Sequence, residues 1–287
     1  MDDFLRLALM MALCPAPSVL VFFLIYRKRQ MSQARNRALN SPSRRRPAGE
    51  SLRALLEEID EQIYEWLTYL AVCPALLGLA AGLIRVPGTV LPLTLFSVSI
   101  VWTGGCAWKL RQLHRQRADA ELGFDDQRRV AEELNRLTAE GFEVYHDVPF
   151  DGFNIDHVLL GPPGVFAVET KSLPRPAKAL ASGDDKVEFD GFQVRWSMGS
   201  ETYGLQRAVA NARILAQWLT DVLGEAIVAT PILTLPGWAV NRTATNQTAL
   251  VLNVREIGKL CDSKTVLFSE DLIRRICQQL NKKCGSV

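Results

Sequence analysis

No two of the six cysteines stand at CxxC spacing, and Cys14, Cys73 and Cys106 lie inside apolar runs, so neither a zinc site nor a disulfide framework is indicated. An excess of one charge is missing too. With 33 Lys and Arg against 31 Asp and Glu the formal charge is +2, and bulk charge supplies no attraction to nucleic acid. The long apolar runs 7–26, 66–84 and 90–108 hold no Asp, Glu, Lys or Arg, which argues against a proton relay or ion path through them. Before the first run stand Asp2 and Asp3 with a single Arg6, and no small-residue cleavage site follows it. Both absences argue against a cleaved secretory leader.

What is present begins with those runs. Each approaches the length of about 20 residues that crosses a bilayer core, and the hydrophobic share of 48% is concentrated in residues 1–110. The sequence therefore predicts three transmembrane helices, the first kinked by Pro15 and Pro17, the second and third joined as a hairpin by residues 85–89. Basic residues follow the first run (Arg27, Lys28, Arg29) and the third (Lys109, Arg111, Arg115, Arg117), and the positive-inside rule puts both ends in the cytoplasm. The expectation is a multi-pass protein of the cell inner membrane, with the lipid bilayer as a partner and a cytoplasmic C-terminal domain. Residues 27–49 are basic and poor in apolar side chains, which predicts a loop that sets topology, or one that binds nucleic acid or anionic lipid. From Glu50 to Glu65 the apolar positions Leu52, Leu55, Leu56, Ile59 and Ile63 have helical spacing.

The chemistry centres on residues 154–171, NIDHVLLGPPGVFAVETK. Two apolar runs flank the turn Gly161-Pro162-Pro163-Gly164, the pattern of a β-hairpin. Centring the turn pairs Leu160 with Val165 and, further along, Asp156 with Glu169. Opposed residues of an antiparallel pair share a face at roughly 5 Å, so two like charges would meet there. A divalent cation with oxygen ligands, such as Mg²⁺, is the simplest compensation. Strand side chains alternate, so Lys171 joins Asp156 and Glu169 while Thr170 and His157 turn away. His157 is accordingly expected to be structural.

An Asp followed about a dozen residues later by Glu-x-Lys on the adjacent strand is similar to the PD-(D/E)xK nuclease superfamily. The wording of residues 156–171, the preceding helix with Gly123 and Val130, and the following Ala-rich helix with Gln206 resemble more narrowly the NERD (nuclease-related) domain, over residues 121–237. The resemblance implies an α/β domain with an α-β-β-β-α-β core and a mixed central sheet. It implies hydrolysis of phosphodiester bonds in nucleic acid, DNA in the first instance, with Mg²⁺ or Mn²⁺ as cofactor. Asp156, Glu169 and the Thr170 carbonyl would hold the metal, and Lys171 and Gln206 would complete the catalytic set. One position departs from the family pattern: Gln127 stands where a glutamate is usual, and neighbouring Asp126, about 100° around a helix, does not substitute for it. That departure leaves open an alternative, an inactive nuclease-like domain that binds nucleic acid or a protein partner at the membrane.

The remaining pattern fits the same plan. Helices are expected over residues 121–140, 203–223 and 269–282, a strand over 142–148, a loop over 174–185, a second hairpin around Asp190-Gly191, and strands over 226–235 and 250–254. The division expected is a membrane anchor over residues 1–117, the nuclease-like domain over 118–240, and a C-terminal strand and helix extension over 241–287.

Overall fold

The computed structural model describes residues 46–83, 90–173, 186–243, 248–261 and 266–285. The expected first span, most of the basic loop and the loop 174–185 lie outside them. Among the described residues the order is α1 (Glu50–Leu83), α2 (Val90–Arg136), a 3-10 turn (Leu137–Glu140), β1 (Glu143–Phe150), β2 (Phe153–Gly161), β3 (Gly164–Thr170), β4 (Lys186–Phe189), β5 (Val194–Trp196), β6 (Gly199–Glu201), α3 (Tyr203–Leu223), β7 (Ala229–Thr234), β8 (Ala239–Arg242), β9 (Leu250–Leu252), α4 (Val254–Cys261) and α5 (Glu270–Gly285). They form two compact units. One holds residues 55–120; the other holds residues 46–54 together with the chain from Glu121 onward.

The first unit corrects the membrane reading. Three spans were expected, yet among the described residues no helix is long and apolar enough to cross a membrane. Each run shares its helix with charged turns, Glu57, Glu58, Asp60, Glu61 and Glu65 in α1 and Lys109, Arg111, Arg115 and Arg117 in α2, and such residues are costly inside a bilayer. The described parts of the two helices pack on each other. Ile59 and Ile63 of α1 pack with Leu110, Leu113 and Ala120 of α2, Arg117 Nε pairs with Asp60 at 2.8 Å, and Trp102 Nε1 donates to the Tyr69 carbonyl at 3.3 Å.

The second unit is a three-layer α/β assembly. Its main sheet has the order β1-β2-β3-β7-β9, antiparallel from β1 to β3 and parallel from β3 to β9. A mixed sheet of this kind was expected. β2 and β3 are buried on both faces, which is why they read as continuous apolar runs rather than alternating ones. On one face Val158, Leu160, Val165 and Ala167 meet Ala212, Leu215 and Leu219 of α3 and Ile276 and Leu280 of α5. On the other, Leu159, Phe166 and Val168 meet Val130 and Leu134 of α2 and Ile257 of α4. The 3-10 turn after α2 stops at Gly141, whose φ of 88° closes the turn in the left-handed region. A smaller sheet, β6-β5-β4-β8, completes the unit.

The β2–β3 register is the one the turn predicted: Gly161 pairs with Gly164, Leu160 with Val165, and His157 with Val168. Asp156 and Glu169 are the next positions along, on the face covered by α3.

Candidate functional site

Asp156 and Glu169 are 6% and 2% exposed, two carboxylates inside a core. Such groups need compensating partners, and the surrounding elements supply them. Asp156 Oδ2 accepts the Thr170 N–H at 2.8 Å. Glu169 Oε2 accepts from Asn211 Nδ2 at 2.9 Å, and its Oε1 faces Arg207 Nη1 at 3.2 Å. Arg207 and Asn211 stand one turn apart on α3 and so point the same way.

Both carboxyls are weaker acids than usual. Burial pushes Asp156 up to about 6, against the Thr170 N–H and the Arg207 charge. Burial, and then the Asp156 charge, push Glu169 up to about 8, against Arg207, Lys171 and Asn211. The pair holds a proton near neutral pH because like charges on one desolvated face resist joint ionisation.

Lys171 lies on the same side. Its stem meets Gly204 at the start of α3, and its Nζ faces Glu201 Oε2 at 3.4 Å and the Tyr203 ring at 5.8 Å. Glu201 Oε1 also accepts the Gly204 N–H at 2.9 Å, so one carboxylate caps α3 and places the lysine. Thr170 contributes its backbone N–H, while its hydroxyl is buried without a partner in the structure. Gln206 is not brought to the carboxylates. It is exposed and lines a separate groove beside Phe192 and Arg213.

A cleft of about 840 Å³ opens over Asp156, walled by Gln127, Asn154, Tyr203, Arg207 and Ser51. Ser51 comes from α1, outside the stretch the sequence marked for chemistry. It is held by Asp147, which is buried and has a φ of 49°. Asp147 accepts the Ser51 N–H at 3.1 Å, the Ser51 hydroxyl at 2.6 Å and Asn154 Nδ2 at 3.2 Å. Arg46 Nη2 faces it at 3.4 Å. Gly49 is equally committed: a Cβ there would lie 2.8 Å from the Phe124 ring.

Sequence reasoning missed Arg207, Asn211, Glu201, Asp147 and Ser51. Asn211 left a signal, since it falls in the buried stripe of α3 with Ala208 and Leu215, where a polar side chain needs a partner. Arg207 was then legible as its neighbour one turn earlier. His157 lies on the opposite face, fully buried, with Nδ1 at 2.9 Å from His146 Nδ1. Burial and then His146 hold it well below the usual histidine range.

The donor set suits the divalent cation that the nuclease resemblance implies. Two hard carboxylate oxygens on one face suit Mg²⁺, which uses one or two carboxylates and keeps its waters. Gln127 Oε1 is buried in the same cleft with no hydrogen-bond partner in the structure, an oxygen donor left over. No group of three His, Cys, Asp or Glu able to hold a metal occurs among the described residues, so carboxylates alone do not make a closed cage. The residues fit an open site.

Neither a curated protein nor a solved structure matches the chain. The family model described as NERD, nuclease-related domain, does match it, over residues 122–234, a stretch that carries Gln127, Asp156, Glu169, Lys171, Arg207 and Asn211.

Proposed function

We propose that the cleft over Asp156 hydrolyses phosphodiester bonds of nucleic acid with the help of Mg²⁺ or Mn²⁺. The observation that carries this reading is the placement of two buried, mutually repelling carboxylates on one face of β2 and β3, with Arg207 and Lys171 beside them. Asp156 and Glu169 would hold the ion, with Gln127 Oε1 or the Thr170 carbonyl as a neutral oxygen donor. When bound, the ion supplies Lewis-acid stabilisation of charge on the phosphodiester oxygens. The other roles belong to side chains. Arg207, 39% exposed at its side chain, is placed to exchange part of its contact with Glu169 for a substrate phosphate. Lys171 is held by Glu201 beside Tyr203 of the cleft wall, and its ammonium would orient a water or offset charge developing in the transition state.

A second reading, binding without hydrolysis, is favoured by Gln127, which brings an amide where the family pattern has a carboxylate. Calorimetric titration of the full chain with Mg²⁺ and with Mn²⁺ at pH 8 tests the first reading. Saturable binding that Asp156→Asn and Glu169→Gln each abolish is the expected result. No heat from wild type with either ion contradicts it.

A further inference from the structure

The groove that takes up Gln206 runs along the other flank of α3. Its walls are Leu205 and Val209 on the helix and, across from them, Phe192 at the tip between β4 and β5. Phe192 is 80% exposed, an unusual state for so large an apolar ring. It is not loosely held. Asp190 Oδ1 accepts the N–H groups of Phe192 at 3.0 Å and Gln193 at 2.9 Å, and Arg195 Nη2 braces Asp190 Oδ2 at 2.8 Å. Gly191, with a φ of 96°, makes the turn that presents the ring.

Arg213, exposed at the groove's side, has no ion-pair partner among the described residues. Ala210 and Ile214 line both this groove and the carboxylate cleft, so the two meet across one ridge of α3. The groove measures about 660 Å³, room for a planar ring. It therefore offers an aromatic face, an amide at Gln206 and the Arg213 guanidinium, unpaired among the described residues, next to the cleft assigned above to phosphodiester hydrolysis.

We propose that this groove is a base-stacking subsite for single-stranded nucleic acid. This rests on the function proposed above. A strand crossing α3 places its scissile phosphate over Asp156 and an unstacked base against Phe192, with its backbone phosphate on Arg213 and its edge toward Gln206. A paired duplex keeps its bases stacked on one another and cannot present one to Phe192, so the groove selects single strands.

The test uses the full chain in chelator, with a labelled oligonucleotide, single-stranded or annealed, read by fluorescence anisotropy. The single strand is expected to bind more tightly than the duplex. Phe192→Ala and Phe192→Leu weaken single-strand binding about tenfold or more, on the scale of one lost base stack, while Phe192→Trp retains it. Arg213→Ala lowers the salt slope by about 0.7, the value of one phosphate on a single strand. In Mg²⁺, Phe192→Ala raises KM for single strands with kcat kept. Wild-type-like binding by Phe192→Ala, or equal losses on single strand and duplex, overturns the subsite while leaving hydrolysis standing if the chain still cuts. Failure of wild type to bind either form overturns the subsite, and only the further absence of cutting in Mg²⁺ and Mn²⁺ removes the hydrolysis as well.

Discussion

Replacing Asp147 by alanine probes the least expected part of the cleft, the wall built by residues 46–51. The carboxylate is buried and accepts both donors of Ser51 and the Asn154 amide, with Arg46 beside it. A hydrogen bond to a charged group contributes about 1.5–3 kcal/mol, and leaving a buried donor unpaired costs about 1–3 kcal/mol. These contributions share one acceptor and do not add, so we expect a loss of about 3–4 kcal/mol from the attachment of residues 46–54. The φ of 49° acts against this. Left-handed backbone costs a residue with a Cβ about 1–2 kcal/mol, so Asp147→Gly should lose about 1 kcal/mol less than alanine. Asparagine tolerates that backbone and keeps one acceptor, so Asp147→Asn should lose least. Hydrogen exchange read by mass spectrometry reports the segment directly. At about 1.4 kcal/mol per tenfold, peptides covering residues 46–54 should exchange about 100- to 700-fold faster in Asp147→Ala, with β7 unchanged. Unaltered protection there, or asparagine costing more than alanine, would refute the argument.

Stability in chelator should fall with rising pH between 6.5 and 8. In that window folded Glu169, with its pKa near 8, keeps a proton that its unfolded counterpart, near 4.5, has released, so the slope is negative at about 1.4 kcal/mol per pH unit. His157 acts with the opposite sign only below its unfolded value of 6.5, and Asp156 has ionised near 6. A loss of about 1–2 kcal/mol across the window, removed by Glu169→Gln, is expected; thermal melts that stay level or rise would be incompatible with it. Arg207→Met withdraws the cation 3.2 Å from Glu169, so the onset of Mg²⁺ binding in calorimetry should move to higher pH; an unmoved onset would mean Arg207 does not act on that carboxyl. Gly161→Ala drives a Cβ to 2.5 Å from the Phe142 ring and should cost about 1–3 kcal/mol by overpacking. Phe142→Leu in the same chain should return part of that loss in denaturant melts, and an additive double variant would show that the ring is not the obstacle.

The hairpin was legible because Gly-Pro-Pro-Gly centres its own register, which holds from Gly161 and Gly164 as far as His157 and Val168, one step before Asp156 and Glu169. Helix α3 was equally plain, from Tyr203 to Leu223, through its apolar stripe and the Gly224 stop. The first hairpin, β1 to β2, was overlooked although Asp151-Gly152 carries the same turn signal as Asp190-Gly191. Strand β6 and strand β8 are too short and too exposed to leave a periodic trace. The partners of the carboxylates were hidden for a different reason. Glu201 and Arg207 act through contacts set by where α3 lies on the sheet, and Asp147 reaches Ser51 across nearly a hundred residues of chain, a distance no local pattern spans. The second and third runs misled because each continues into charged turns of the same helix, residues 57–65 in α1 and 109–117 in α2; the first run lies outside the described residues.

Cleavage by the full chain, with labelled DNA and RNA in Mg²⁺, Mn²⁺ or chelator, beside Asp156→Ala, Glu169→Ala and Lys171→Ala, tests the central claim most directly. Cutting that needs the metal and falls by at least about 100-fold in each variant, the scale of one removed catalytic group, is the predicted result. Wild type and variants cutting alike, or wild type staying silent on every substrate with either ion, would contradict it.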